Sequence, residues 1–403
     1  MEDRIPTPGQ EGRVLITPED GSAPFYAKVE MADNPTQAGT PLIKETLLQD
    51  STEIEIFGNA GNRTVDEAFS GVMARLSLVM QNVATITLTV TDTAENPIPN
   101  VYVNGVFDED GESVATNASG QAVGYVADGT TTLSISNYAD IINYSEQFDA
   151  VKGQDYTHTI QVQTQNFLKF TSTQNVRFSG NVEQVDVTSV GGGGGAGATN
   201  GNGRVSVASG GAGGGGNCVV QEDVTFSPNI VYQAIVGAGG VVGGGGGTSS
   251  FLGVSANGGN PGGGGNISYP YTAGIGGSGN GKGGDGVAIT IYPGEQKSGN
   301  PGVSGNVQGY ASFTETIAYG GGGGSGGIFG GTGGSGAGYG GDGGGWPSSI
   351  NGQNGTDGFG GGGGSGGYQY TEYDTGGDDT EIGSPGRGGS GCIAIRMHLK
   401  SAA

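Results

Sequence analysis

The stretch Val190-Gly-Gly-Gly-Gly-Gly-Ala-Gly-Ala198 decides how about half of this chain is built. It opens a region, residues 191–391, that holds 77 of the 91 glycines in the 403-residue sequence. Glycine contributes no side chain to a hydrophobic core, and ordering its backbone costs roughly 1 to 2 kcal/mol per residue. The region is therefore either disordered or held together by hydrogen bonds between backbone groups.

Apolar interruptions favour the ordered alternative. Pairs such as Val219-Val220 and Phe251-Leu252 interrupt the glycine runs, and serine is sparse, whereas a flexible spacer is usually rich in serine. Uninterrupted runs such as residues 320–324 do not follow the collagen repeat, which places glycine at every third position. We predict a bundle of left-handed polyglycine helices with three residues per turn and hydrogen bonds between helices. A disordered tail is the alternative.

Short apolar segments with alternating polarity flank and interrupt the glycine region. Because strands of this length pair readily, we predict that they form a β-platform from which the polyglycine helices project. These segments are residues 168–178, 182–190, 223–226, 230–236 and 392–399. Cys218 and Cys392 adjoin such strands, which favours buried free thiols; a disulfide that pins the two ends of the region together is the alternative.

The pattern before the glycine region predicts three further segments, and the whole chain is predicted to be mainly β. Residues 1–62 read as a polar, proline-containing region with short strands, 63–83 as a helix, 84–164 as a small β-sandwich and 165–403 as the glycine-rich domain. Thr64-Val-Asp-Glu67 is a capping box that would start the helix.

Apolar residues then recur along this helix with alternating spacings of four and three. This heptad seam predicts a short coiled coil that joins three chains; a single amphipathic helix resting on the N-terminal strands is the alternative. The seam residues are Val65, Phe69, Val72, Leu76, Val79 and Val83.

The sandwich segment shows some six strands, with turn residues every 8 to 12 positions. Its succession Asn96-Pro-Ile-Pro-Asn-Val101, Ala115-Thr-Asn-Ala-Ser-Gly-Gln-Ala122 and Tyr125-Val-Ala-Asp-Gly-Thr130 resembles the carboxypeptidase-regulatory-like, or prealbumin-like, domain. The resemblance implies an accessory module without catalytic activity.

Charge and composition disfavour several classes of function. The net charge is −23, so clustered cations for nucleic acid or an anionic membrane are not expected. No stretch reaches the length of a membrane span, and the polar start Met1-Glu-Asp-Arg-Ile-Pro lacks a signal peptide's apolar segment. His158 and His398 show no metal-ligand spacing, and the many Gly-x-Gly-x-x-Gly matches follow from composition alone. We expect no enzyme, cofactor or metal site.

The motifs around the glycine region resemble those of bacteriophage tail-fibre and adhesin proteins. They are Val190-Gly-Gly-Gly-Gly-Gly195, Ile235-Val-Gly-Ala-Gly-Gly240, Gly246-Gly-Thr-Ser-Ser-Phe251 and Gly386-Arg-Gly-Gly-Ser-Gly-Cys-Ile-Ala-Ile-Arg396. Residues 33–44 and 64–69 look like the virion-proximal start of such proteins. The resemblance implies a virion fibre or adhesin that is bound to other virion proteins through its N-terminal region and to a bacterial surface glycan or protein through its glycine-rich domain. The heptad seam predicts that this fibre is a homotrimer. A head fibre or decoration protein with weak glycan or mucus contacts is the alternative, and a bacterial surface adhesin is less favoured.

Aromatic residues concentrate in the segments that join the glycine runs. Because polyglycine helices carry no side chains, specificity must lie in these connections, and rigid aromatic rings are efficient anchors for proteins and sugars. The alternative is that they cap the bundle and shield it from water. The predicted receptor-binding residues are Tyr269, Tyr271, Tyr292, Trp346, Tyr368, Tyr370 and Tyr373.

Overall fold

The computed structural model describes most of the chain after residue 81 and three short segments before it. The described residues are 13–16, 23–28, 65–80, 82–201, 206–268, 272–290, 297–327, 330–333, 340–345, 349–371 and 379–400. The chain divides into two compact units, Met1–Ser77 and Leu78–Ala403. The described structure is mainly β, as the sequence predicts.

The first unit contains an antiparallel hairpin and most of one helix. Strands β1 (Arg13–Ile16) and β2 (Phe25–Lys28) pair with Ile16 opposite Phe25. Helix α1 spans Val65–Met80, with Asp66 and Glu67 in its first turn, where acidic side chains complement the helix dipole. No helix among the described residues is long and apolar enough to cross a membrane.

Residues 82–164, here called the β-module, form a curved sheet of seven strands in the order β8-β7-β4-β6-β3-β9, with β5 beside β4. Strands β3 and β9 are parallel and the other pairs are antiparallel. The strands are β3 (Val83–Thr91), β4 (Tyr102–Phe107), β5 (Ser113–Ala115), β6 (Gln121–Ala127), β7 (Gly129–Ile135), β8 (Tyr144–Ala150) and β9 (Asp155–Gln161).

Strand β4 joins the β7–β8 part of this single sheet to the β6–β3–β9 part. Strand β4 pairs with β7 at Asn104 and with β6 at Phe107, and between them Gly105 has a φ of +93°. A Cβ at Gly105 would lie 2.5 Å from the carbonyl oxygen of Thr132, so only glycine fits this bend. The alternating side chains Ile86, Leu88 and Val90 of strand β3 are fully buried in the core.

The platform is a four-stranded antiparallel sheet in the order β10-β24-β12-β15, which confirms the predicted association of the first and last strands of the glycine-rich domain. Its apolar face packs around Val185, Val187, Ile393 and Ile395. Its strands are β10 (Phe167–Phe170), β12 (Val182–Val190), β15 (Cys218–Val224) and β24 (Cys392–Leu399). The predicted strand at 230–236 joins another sheet, since β16 (Tyr232–Ala234) pairs with β11 (Gln174–Val176).

The glycine region forms a polyglycine bundle, and residues 191–198 show its hydrogen-bond pattern. Successive N–H groups donate to three different segments in turn, so the pattern repeats every third residue, as three residues per turn require. The N–H groups of residues 192 and 195 donate to carbonyl groups in segment 244–247. Those of residues 193 and 196 donate to segment 386–389, and those of residues 194 and 197 donate to segment 211–214. The N···O distances are 2.8–3.0 Å.

The carbonyl groups of the same helix accept hydrogen bonds from three other segments. The carbonyls of residues 192, 195 and 198 accept from the N–H groups of residues 259, 262 and 265, respectively. Those of residues 193 and 196 accept from the N–H groups of 240 and 243, and that of residue 194 accepts from the N–H group of 363. Six segments of the same chain therefore surround residues 191–198, which is the hexagonal neighbourhood of a polyglycine bundle. All six neighbours of this helix belong to the same chain.

Close packing explains why these positions are glycine. A Cβ on Gly193 would lie 2.0 Å from the carbonyl oxygen of Gly361, and one on Gly194 would lie 2.1 Å from that of Asn260. Real Cβ atoms do not approach backbone oxygens this closely, so the missing side chain is what lets neighbouring helices bond.

Asparagine and aspartate side chains serve the outer helices, where neighbouring helices are fewer. Their carboxyl or amide oxygens accept from backbone N–H groups in place of a neighbouring carbonyl. At three-residue intervals Asn351, Asn354 and Asp357 accept from the N–H groups of Ser384, Arg387 and Ser390, at 2.8, 3.0 and 2.8 Å.

Short strands close the ends of the bundle. They form two-stranded hairpins and one three-stranded sheet, β13-β14-β19. These strands are β13 (Asn200–Gly201), β14 (Ser206–Ala208), β17 (Ser249–Phe251), β18 (Val254–Ala256), β19 (Ala288–Thr290), β20 (Gln308–Tyr310), β21 (Thr316–Ala318), β22 (Tyr368–Thr371) and β23 (Asp379–Ile382).

Candidate functional site

The bundle has two chemically different ends. The helix of residues 191–198 starts at the platform strand β12 and finishes at β13, so β13 marks the end away from the platform, here called the tip. At the tip, Thr199 Oγ1 donates to the carbonyl of Gly366 at 2.5 Å, and Asn200 Nδ2 donates to that of Gly265 at 2.6 Å. These contacts place residues 265 and 366 at the same end.

The connections that carry the predicted aromatic residues begin and end at described residues of the tip. The Asn266 to Thr272 bridge flanks positions 269 and 271, strand β19 precedes position 292, and the Gly345 to Ser349 bridge flanks position 346. Gly344 also donates to Ser365, next to Gly366. The hairpin β22–β23 joins positions 371 and 379. The described residues that flank these connections therefore lie at the tip.

The structure describes the side chain of one of the seven predicted receptor-binding residues. Tyr368 is fully buried at the base of the β22–β23 hairpin, so its prediction as a receptor contact is wrong; it fits the alternative of an aromatic residue that closes the bundle end. Tyr370 lies in β22, and nothing is described of its side chain. Outside the described residues lie Tyr269, Tyr271, Tyr292, Trp346 and Tyr373.

Three residues of the predicted trimerisation seam form an exposed stripe on α1. Phe69, Val72 and Leu76 are 56%, 38% and 47% exposed. Val83 is a correction, because it lies in strand β3 of the β-module and is buried there. The seam within the helix therefore ends before Val83. Val65 and Val79 lie in α1, and nothing is described of their side chains.

A charged cluster lies on the platform beneath the β20–β21 hairpin. Asp186 is 1% exposed and accepts from Arg396 Nε at 2.6 Å and from His398 Nε2 at 2.8 Å. Burial acts to raise the pKa of Asp186, but the N–H of Asp223 together with His398 and Arg396 holds it below its ordinary value. The Arg396 guanidinium also stacks over the Tyr310 ring at 4.2 Å.

This cluster contains the one group of possible metal ligands found among the described residues. Ligand atoms of Asp186, Asp223 and His398 lie within 4.8 Å of one another. However, the same Asp186 oxygen already receives both Arg396 and His398. A guanidinium therefore supplies the positive charge that a cation would bring, and the cluster is best understood as an ion-pair network. His158 is likewise satisfied in its strand, by Glu146 at 2.5 Å.

The two cysteines are buried free thiols, as predicted. Both lie opposite Val190, Cys218 on strand β15 and Cys392 on strand β24, so two strand spacings separate them. That is about 10 Å, beyond the Cα separation that a disulfide spans. Burial raises the pKa of Cys218 to about 12 and that of Cys392 to about 11, so neither is a reactive thiolate at neutral pH.

The folded chain is thus defined by its architecture, a mainly β protein in which a polyglycine bundle stands on an antiparallel platform. No protein-family model matches this chain, and no curated protein matches it.

Proposed function

We propose that this chain is a receptor-binding fibre or adhesin of a bacteriophage virion, which contacts the host cell surface through the tip of its polyglycine bundle. The observation that carries the proposal is the separation of scaffold from side chains. The helix of residues 191–198 is surrounded by backbone, whereas the described residues that flank the aromatic connections lie at the end opposite the platform. In this proposal the bundle holds these connections away from the platform, as a surface-recognition device requires.

The motifs at residues 190–195 and 386–396 support the phage assignment through their resemblance to tail-fibre and adhesin proteins. In this proposal, residues 1–62 attach the chain to other virion proteins, and the β-module spaces the bundle from that attachment. The net charge of −23 would limit self-association of such particles.

Substitutions at the tip test the proposal more cleanly than deletion of the glycine region. Removing residues 191–403 would also remove β15 and β24, two of the four platform strands, and would expose the platform core. Virions carrying Trp346→Ala together with Tyr370→Ala should adsorb to host cells at least about tenfold more slowly, because aromatic anchors often carry most of the binding energy.

The matched control is Tyr125→Ala on the β-module, which should leave adsorption unchanged. Circular dichroism of each purified variant would confirm an intact fold. Normal adsorption of the folded double variant and of a variant with every tip loop replaced by Gly-Ser would rule out a receptor at the tip.

We also propose that α1 joins three copies through Phe69, Val72 and Leu76. Exposed apolar side chains at spacings of three and four are the pattern of a coiled-coil seam. Light scattering of the purified chain should give three times the monomer mass, and the Phe69→Glu variant should give the mass of a single chain. Ser70→Glu, an exposed change beside the seam, should leave the mass at three chains. A monomeric wild type would exclude the trimer.

A further inference from the structure

A cleft lies where the β-module meets the platform, at the end of the glycine-rich domain opposite the tip. Two neighbouring cavities of about 480 and 320 Å³ share five lining residues, and the two together are here called the cleft. The shared residues are Asn137, Tyr138, Gln174, Asn175 and Val176. Together these volumes fall in the range that binds small ligands.

The walls of the cleft are fixed by backbone hydrogen bonds between the two modules. The Arg177 N–H donates to the carbonyl of Asn137, and the Ala139 N–H donates to that of Arg177, each at 2.8 Å. The Tyr102 N–H donates to the Tyr138 hydroxyl at 2.8 Å, and that hydroxyl donates to Asn229 Oδ1 at 2.7 Å. Hydrogen bonds between the β-module and the glycine-rich domain therefore hold the walls of the cleft in place.

Amide side chains dominate the lining. Asn137, Gln174 and Asn175 are exposed, and within the described chain their side-chain amides make no hydrogen bond. Each amide offers both a donor and an acceptor, the combination that complements neighbouring hydroxyl groups of a sugar. The lining thus presents unused hydrogen-bonding capacity of the kind a saccharide needs.

One cation faces this groove without a carboxylate. Arg177 stacks over the Tyr102 ring at 5.4 Å, and no ion pair to it is found among the described residues. No lining residue of either cavity is acidic, although the chain carries 38 acidic residues against 15 basic ones. By contrast, Arg387 lines a cavity that also contains the carboxylate of Asp357.

We propose that this cleft binds an acidic oligosaccharide, with the Arg177 guanidinium pairing a sugar carboxylate and the amides of Asn137, Gln174 and Asn175 bonding its hydroxyls. A planar guanidinium matches a carboxylate in two parallel hydrogen bonds, which a neutral sugar lacks. The site is separate from the tip, so its binding is independent of the proposed receptor contact.

Ligand-observed saturation-transfer NMR and calorimetry on the full chain would test the site. The probes are tetragalacturonate and sialyllactose, with carboxyl-reduced tetragalacturonate and lactose as their neutral counterparts. We expect the acidic sugars to bind and their neutral counterparts to bind about tenfold more weakly, since a charge-assisted hydrogen bond contributes about that factor. Arg177→Gln should weaken the acidic sugars by about the same factor.

The matched control is Arg387→Gln, the same substitution in a cavity that contains a carboxylate, and it should leave binding unchanged. If Arg177→Gln melts early in circular dichroism, the exposed pair Gln174→Ala with Asn175→Ala decides, with an expected loss of about fivefold. Failure of both acidic sugars to bind, equal binding of the neutral sugars, or full binding by the folded variants would each overturn the proposal.

Discussion

The β-module and the polyglycine bundle lie in one chain and are stabilised in opposite ways. In the β-module, side chains such as Leu88 and Ile135 fill a core that the backbone surrounds. In the bundle, residues 191–198 place the backbone itself in the centre, bonded to six neighbouring segments, and its glycine positions leave no room for a Cβ. Adding atoms should therefore harm the bundle, and removing atoms should harm the β-module.

Gly194→Ala should produce the largest effect on stability. Its Cβ would lie 2.1 Å from the carbonyl oxygen of Asn260, so the helices must separate and several backbone hydrogen bonds must break. We expect the bundle to lose more than about 4 kcal/mol of unfolding free energy, measured by urea denaturation with circular dichroism.

The control for this change is Gly264→Ala, in which the same methyl group would lie 3.8 Å from its nearest neighbour, the Ala198 oxygen. It should cost less than about 1 kcal/mol. Similar losses for both variants would show that the glycines act through chain flexibility and not through close packing.

Leu88→Ala should destabilise the β-module by about 2 to 5 kcal/mol, because it leaves a cavity in a fully buried core. Val123→Ala, at a side chain that is 68% exposed, should cost less than about 1 kcal/mol. A protease-resistant bundle in the Leu88→Ala variant would sharpen the comparison, since the two cores would then be independent.

Two buried carboxylates give opposite dependences on pH. Burial raises the pKa of Asp140, which accepts from Ser179 N at 3.0 Å at the junction of β-module and platform. Its contribution is complete below the unfolded pKa and is lost as pH rises through the folded pKa. The depressed pKa of Asp186 gives the reverse, a contribution present above the unfolded pKa and lost as pH falls through the folded pKa.

Unfolding free energies from pH 3 to 8 would check these signs. The unfolding free energy of the wild type, relative to that of Asp140→Asn, should fall as pH rises above about 4, the ordinary pKa range for aspartate. The unfolding free energy of the wild type, relative to that of Asp186→Asn, should instead fall as pH drops below that range. Parallel curves for the two variants would contradict the assignment.

The sequence predicts the bundle and the platform because both depend on local patterns. Glycine runs define the helices, and alternating apolar residues define strands such as 182–190 and 392–399. Val83 satisfies two patterns at once, as the next heptad position after Val79 and as the start of a strand with alternating burial, and only tertiary packing decides between them.

The remaining features depend on long-range contacts. Nothing in the sequence around Tyr368 indicates that its side chain is buried, because that burial is set by the segments packed around it. The cleft combines Asn104 with Arg177, which lie far apart in the sequence and meet because a backbone bridge joins residues 138 and 177. No spacing along the chain indicates that site.

The smallest expected effect lies at the outer edge of the bundle, where side chain and backbone share the hydrogen bonding. Asn354 is exposed and accepts from the Arg387 N–H at 3.0 Å, so Asn354→Ala removes one hydrogen bond that water can replace. We expect a loss of about 0.5 to 1 kcal/mol, in contrast to the large loss for Gly194→Ala. Hydrogen exchange should show faster exchange at Arg387 alone, with the N–H groups of 192–197 unchanged. If exchange also becomes faster at residues 192–197, then side chains such as that of Asn354 are needed to hold the bundle together, and backbone hydrogen bonds are not sufficient.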